Sequence, residues 1–450
     1  MKNIQSRYFS SLMRKENLNY YNFYLFIFFI TIAPATVCGQ YEYKNVDSYK
    51  SFLQKNTVQN TLQLDKKIQK QYSNIIDEKN NELIERLKSK DFLFDTVAYP
   101  YLNSIFNHVL LSNSLDKNRF HFFIDRTFDV NAYSFEDGTV VCNLGLLGGM
   151  ENESQLAMVF CHEIGHYLLM HSNKSIISQL NKYNSHEFLT QIKQIKKQEY
   201  NTKKQLEDLL LTDVFDRSRH SRGQEKAADS LGMILFSYTN YGAKTVPAIF
   251  DYLNSAEGLL NAITIQSFLG KEKITIDDFS VAAPSKRMHF GTTEKKEIID
   301  SLKTHPDCDK RKLQMQSFFG LNPKPGVDFI TGSKQDLEKI KKYALFEEAK
   351  YSKDKGNLGL YLYQLIQIDA MFPADKYTKS WIYNTLTSLY THHKAHTFHE
   401  VVNAVYIPKN DKDQYATLLK LLDNLSLEKL DEIINAYYAN NNSFITITKN

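Results

Sequence analysis

The 450-residue chain lacks a strong charge of one sign, a long apolar run and a dense set of cysteines. Lys and Arg number 55 against 51 Asp and Glu, a formal net charge of +4. Residues 1–39 hold Lys2, Arg7, Arg14 and Lys15 against Glu16; subtracting their +3 from +4 leaves +1. That balance gives no argument for nucleic acid or an anionic surface as partner. The apolar run Phe23–Ala33 is shorter than the ~20 residues of a spanning helix, and Pro34 follows it. No other stretch is apolar enough to cross a bilayer. The four cysteines fit no cysteine metal-site spacing.

Residues 1–39 have the pattern of an export signal: a basic start, the apolar run, and Val37-Cys38-Gly39 ending in a small residue. Cleavage after Gly39 is the expectation, and a retained membrane anchor is the alternative. Val37 is a poor residue before a lipidated cysteine, which argues against a lipoprotein. Cleavage leaves Cys142, Cys161 and Cys308, so at least one is unpaired within the chain.

What the sequence does have is His162-Glu163-Ile164-Gly165-His166, the H-E-x-x-H pattern. Residues four apart share a helix face, so both imidazoles can meet one metal. Glu163 can then reach a water at that metal and take its proton. Asn152 and Gln155 give an N-cap pattern, and Leu156, Val159, Phe160, Ile164 and Tyr167 give an apolar helix face. Gly165 implies a close approach of something to the helix backbone.

A third ligand must come from elsewhere. Ser221 and Gln224 give a capping pattern for a helix carrying Glu225 and Asp229 on one face. The bland reading of that pair is a solvated acidic face. Beside H-E-x-x-H, Glu225 completes a His-His-Glu site, and Asp229 can hold the free N–H of a ligand imidazole.

These segments resemble the gluzincin peptidases of the CAAX prenyl protease and HtpX type, a group that includes periplasmic quality-control proteases. The matching stretches are Asn131-Ala132-Tyr133 with Gly138 and Gly145-Leu146-Leu147; H-E-x-x-H-x-x-x-x-H from His162 to His171; S-R-x-x-E-x-x-A-D-x-x-G from Ser221 to Gly232; and His305-Pro306 with Arg311. Phe135-Glu136-Asp137 departs from the small, apolar residues common there. The resemblance implies a zincin-type fold, α+β and mostly α, with one zinc ion on His162, His166 and Glu225. It implies catalysis by Glu163, Asp229 and Arg311 behind the ligands, and Asn131, Ala132 and Tyr133 on a substrate-facing edge strand. For His305 three roles stand open: oxyanion donor, a plug on the fourth zinc position, or a structural turn. Prenyl proteases and HtpX-like enzymes span membranes several times, whereas this chain looks like a soluble, exported branch.

The organisation expected is a signal over 1–39, a helical extension over 40–95, a peptidase domain over 96–320 and a helical, tetratricopeptide-like domain over 334–450. Tyr99–Leu111 reads as helix, and Phe120–Ile124 and Val130–Cys142 as strands turning at Glu136-Asp137-Gly138. Leu235–Leu260 reads as helix, 270–300 as a loop, and Pro323 with its neighbouring glycines as a linker. The function expected is a zinc endopeptidase acting on unfolded or misassembled exported polypeptides. The alternative is a chaperone or assembly adaptor of the cell envelope, its protease site usually silent, that binds a partner through the C-terminal helices.

Overall fold

A computed structural model describes residues 43–61, 63–197, 222–255, 262–274, 308–321, 325–402 and 413–445. Two helices come first, α1 (Val46–Thr61) and α2 (Lys66–Lys88). Asp65 begins α2 by accepting from the N–H groups of Lys67 and Ile68. The apolar spacing of α2 is helical, and Ile68, Tyr72, Ile76, Leu83, Ile84 and Leu87 are buried along it.

A four-stranded sheet follows, with α3 (Ala98–Ser112) between its first two strands. The strands are β1 (Phe92–Leu93), β2 (His121–Asp125), β3 (Ala132–Ser134) and β4 (Thr139–Asn143), in the spatial order β1-β2-β4-β3. β2 runs parallel to β4, while β1 and β3 run antiparallel to their neighbours. Side chains alternate across a strand. Phe122, Ile124, Val140 and Cys142 enter the main core with α3, whereas Phe123 and Val141 join Tyr49, Leu53 and Leu83 under the N-terminal helices. The sheet is therefore covered on both faces, and β4 is buried along its length.

Behind the sheet lie α4 (Glu153–Leu168), α5 (His171–Asn184) and α6 (His186–Lys196), then helix α7 over 222–237. The stretch expected to be helical from Leu235 to Leu260 is broken. Asn240 takes a left-handed φ of 64°, Tyr241 bridges to Val327, and Pro247 opens a short turn before α8 (Ile249–Ser255). Pairing with a distant segment overrides the local helical pattern there. α9 (Ile265–Lys271) and α10 (Cys308–Leu321) complete this part.

The remaining helices are α11 (Lys334–Asp354), α12 (Leu358–Met371), α13 (Lys376–Lys394), α14 (Phe398–Val401), α15 (Gln414–Asn424) and α16 (Leu427–Asn441). Gly356 turns the chain between α11 and α12 at a φ of 74°. These helices build a second core that also takes in Ile265, Phe268 and Leu269 of α9. The molecule is thus mostly α with one small sheet. Cys142, Cys161 and Cys308 are buried and in no disulfide. Among the described residues no helix is long and apolar enough to cross a membrane. The export pattern of residues 1–39 lies outside the described residues.

Candidate metal centre

Asn152 caps α4 by accepting from the Gln155 N–H at 3.1 Å, and Gln155 reaches back to the Glu151 N–H at 2.7 Å. From that start the helical repeat turns His162 and His166 to one side, with their Nε2 atoms 3.0 Å apart. α7 crosses close to this face. A Cβ on Gly165 would stand 3.1 Å from the Ala228 carbonyl oxygen, and one on Gly232 would stand 3.1 Å from the His162 Cα. The two glycines let the helices approach until Glu225 meets both imidazoles. Its carboxylate oxygens lie 3.3 Å from His166 Nε2 and 3.5 Å from His162 Nε2.

Three donor atoms from His162, His166 and Glu225 lie within 4.8 Å of one another. A tetrahedral metal with bonds of about 2.0–2.1 Å to nitrogen and oxygen has ligand–ligand edges of about 3.3 Å. The separations of 3.0, 3.3 and 3.5 Å fit that shape. Two imidazoles and one carboxylate also form a donor set suited to a divalent cation of this geometry. Three ligands leave the fourth position open.

Each ligand imidazole is held from behind. His162 Nδ1 is 2.9 Å from Asp229 Oδ1. His166 Nδ1 is 2.9 Å from His171 Nδ1. Arg311 grips Asp229 with two parallel bonds, Nε at 2.7 Å and Nη2 at 2.9 Å, and sets Nη1 2.8 Å from Glu225. Its guanidinium also lies over the Phe250 ring. One cation thereby touches both carboxylates and offsets half of their combined charge.

The acidities follow from these contacts. Burial alone would raise Asp229, but its bonds to His162 and Arg311 outweigh that and hold it at about 2. Burial likewise opposes the charge on Glu225, yet the two histidines and Arg311 keep it well below the usual carboxylate range. Burial would lower His162, and hydrogen bonds to Asp229 and Glu225 raise it instead to about 10. Glu163 is different. Burial raises it, the neighbouring histidines only partly offset this, and the Ser134 hydroxyl bonds to it. Its carboxylate lies 4.0 Å from His162 Nε2, beside the metal position rather than in the ligand set.

β3 is an edge of the sheet and packs on α4. Its register pairs Ala132 with Cys142, Tyr133 with Val141 and Ser134 with Val140. Phe135 N–H donates to Thr139 and Asn143 N–H to Asn131, which places the ladder bonds at alternate residues. The backbone groups of Ala132 and Ser134 therefore face the free edge. Tyr133 points to the opposite face and bonds to Arg86 and Asp125. Ala132 and Glu163 line a small cavity of about 40 Å³, whose walls include Leu146, Val159, Leu253 and Met315.

Residues 98–317 match the sequence model of peptidase family M48. That stretch carries a metallopeptidase domain of this family. It holds α3, the strands β2 to β4, α4 and the first ten residues of α10, while α1, α2 and the helices from Lys334 onward lie outside it. Over 91 residues the chain is 33% identical to the beta-barrel assembly-enhancing protease of Escherichia coli K12 and 30% identical to that of Yersinia pestis. Over 85 residues it is 33% identical to a putative beta-barrel assembly-enhancing protease of Vibrio cholerae. These alignments cover 19–20% of this chain and 18–19% of each relative.

Of the residues singled out by sequence, His162, Glu163, His166, Glu225, Asp229 and Arg311 converge in the M48 stretch. Ala132 is beside them; Asn131 stands at the start of β3, and Tyr133 faces away. His305 and the Ser221 cap lie outside the described residues. Three features had no assigned role: His171 behind His166, Ser134 on Glu163, and the hold of Arg311 on Glu225 as well as Asp229. His171 was visible as the last letter of H-x-x-x-x-H. What brings it back is a chain reversal at Met170, whose φ of 56° ends α4 and starts α5.

Proposed function

We propose that the chain is a zinc endopeptidase of the exported compartment that cleaves extended segments of unfolded or misassembled polypeptides. The observation that carries this reading is the convergence of His162, His166 and Glu225 with the Glu163 carboxylate alongside. Zinc bound there would supply Lewis-acid polarisation of a peptide carbonyl and make water more acidic. His162 and His166 present their Nε2 lone pairs, fixed by partners on Nδ1. Glu163 accepts the proton of the attacking water on its carboxylate and delivers it to the leaving amine; a carboxylate raised by burial is suited to both steps. Asp229 and Arg311 hold His162 and Glu225 in place.

The substrate lies along β3, where the outward backbone groups of Ala132 and Ser134 accept an added strand. Main-chain recognition tolerates varied sequence, which suits unfolded proteins. The cavity against Glu163 takes a small apolar side chain. For His305, outside the described residues, His305→Ala separates the three roles: it lowers turnover for an oxyanion donor, raises cleavage of loose substrates for a resting plug, and changes neither rate nor metal content for a structural turn. The export pattern and the similarity to beta-barrel assembly-enhancing proteases support a place in the cell envelope, with the helices beyond Lys334 meeting an assembly partner.

Glu163→Gln is the direct test. The variant should keep zinc and lose peptide cleavage by about two to four orders of magnitude. Cleavage at the parental rate would refute the assignment. Ser134→Pro removes an outward N–H that β4 does not use, so peptide turnover should fall with the sheet intact. Undiminished turnover would remove β3 as the docking edge.

A further inference from the structure

α1 and α2 lie outside the family match, yet they hold the turn after β3, and α1 lines a groove shared with His166. α1 fixes the turn that follows β3. Tyr49 Oη bonds to Asp137 at 3.1 Å and lies 2.6 Å from the Thr139 hydroxyl; Asn56 donates to the Asp137 carbonyl at 3.4 Å. α2 adds Lys79, bonded to Glu136 at 2.7 Å. From the other side Gly138 packs against Arg119: a Cβ there would stand 2.2 Å from the Arg119 carbonyl oxygen. The end of the substrate edge is therefore locked between the N-terminal helices and the turn over Lys117–Arg119.

A groove of about 640 Å³ opens at this point. One wall is α1, through Phe52, Lys55 and Asn56; the other is the α4–α5 corner with His166 and His171. The groove begins at a metal ligand and continues past the end of β3. A strand added to β3 and extended beyond Ser134 runs into it. Its charge is one-sided. Glu136 is neutralised by Lys79. Arg119 is held at the wall by its bond to Tyr167 Oη at 3.2 Å, and no ion pair forms with it among the described residues. Lys55 is exposed, and no ion pair forms with it among the described residues.

We propose that the N-terminal helices form one wall of the substrate groove, and that Lys55 and Arg119 make it select acidic side chains in the part of the polypeptide beyond Ser134. The inference deepens the peptidase reading and rests on it for the direction of the bound chain. Exposed ion pairs are modest. Two of them give a preference of about three- to tenfold, which falls with added salt as exposed charges are screened.

The test uses the full chain carrying Glu163→Gln, so that binding is read without cleavage. Two labelled peptides share an apolar centre and differ only in flanking Glu or Lys residues. Fluorescence anisotropy should give the Glu peptide about three- to tenfold tighter binding at low salt. Lys55→Glu with Arg119→Glu should invert the order, and Lys55→Glu alone should erase part of it; both side chains are exposed, so the fold is kept. Equal binding of the two peptides, or a preference unmoved by the double reversal, overturns the proposal. Failure of the peptidase reading shows separately, as a zinc-loaded parental chain that cleaves neither peptide while still preferring the Glu peptide.

Discussion

His166 and His162 differ in what stands behind them. A carboxylate holds His162, and a neutral imidazole holds His166. When His166 turns Nε2 to a metal, its Nδ1 carries the proton and donates to His171 Nδ1. His171 must then be neutral with its own proton on Nε2; burial and the neighbouring His166 lower it to about 4, which keeps it so. His171→Ala removes the acceptor. Metal affinity should drop about 10- to 100-fold, read by competition with a chromogenic chelator. Affinity equal to that of the parent would reduce His171 to a packing residue. The spacing of His162, Glu163 and His166 was readable because one helix sets it. The pair His166–His171 was not, since it depends on the reversal at Met170, which no periodicity announces. Glu225 and Asp229 were readable only as a pair on one helix. Their meeting with α4 depends on Gly165 and Gly232; only the first was read as a close approach, and Gly232 stood only as the last letter of the S-R-x-x-E-x-x-A-D-x-x-G match.

At the scale of elements, α11 carries two buried carboxyls, Glu347 and Glu348. Glu348 is 8% exposed, and burial, with Asp129 adding repulsion, pushes it up to about 8. The unfolded chain releases this proton near 4.5, the folded one near 8, so between those values the native state binds more protons. Its protonated form adds stability below about pH 4.5, and that contribution is lost as pH rises to 8. A difference of 3.5 pK units corresponds to at most roughly 5 kcal/mol. Glu348→Gln mimics the protonated form. Parent and variant should melt alike near pH 4.5, and the variant should melt higher at pH 8.5. Identical melting curves at both pH values would mean that Glu348 stays charged and solvated. The sequence revealed α11 as a helix but not this group, because burial of a carboxyl comes from the neighbours that pack on it. Strands were legible in the same partial way: Val130–Cys142 read as extended, and the register that turns Ala132 and Ser134 outward came only with the pairing.

Across the whole molecule, the Pro- and Gly-bearing segment before Lys334 read as a linker, yet its described part from Pro325 onward is strapped down. Glu153, at the first turn of α4, accepts from the Ile330 and Thr331 N–H groups at 2.7 and 2.9 Å and from Tyr241 Oη at 2.9 Å. Beyond it α11 spans both cores: Leu337, Ile340 and Ala344 enter the core of the peptidase part, and Ala349 enters the helical one. Arg126, after β2, is fully buried and paired with Glu347 at 2.8 Å and Asp354 at 2.9 Å, both on α11. Ending the chain at residue 333 removes two large apolar side chains worth roughly 1.5–3 kcal/mol each. It also takes Glu347 and Asp354 from Arg126, which keeps its bond to the Lys90 carbonyl, at up to about 3–5 kcal/mol. Together these rival the 5–15 kcal/mol that holds a typical domain folded. Ending the chain after Gly356 keeps α11 and the partners of Arg126, and uncovers the faces of α9 and α11 that pack on the helical core. The 1–333 chain should lose bound metal and its cooperative melt, while the 1–356 chain keeps both at a lower melting temperature. Metal analysis with thermal scanning calorimetry reads this. A 1–333 chain as stable and as metal-loaded as the full chain would show that α11 is dispensable to the peptidase core, contrary to its packing.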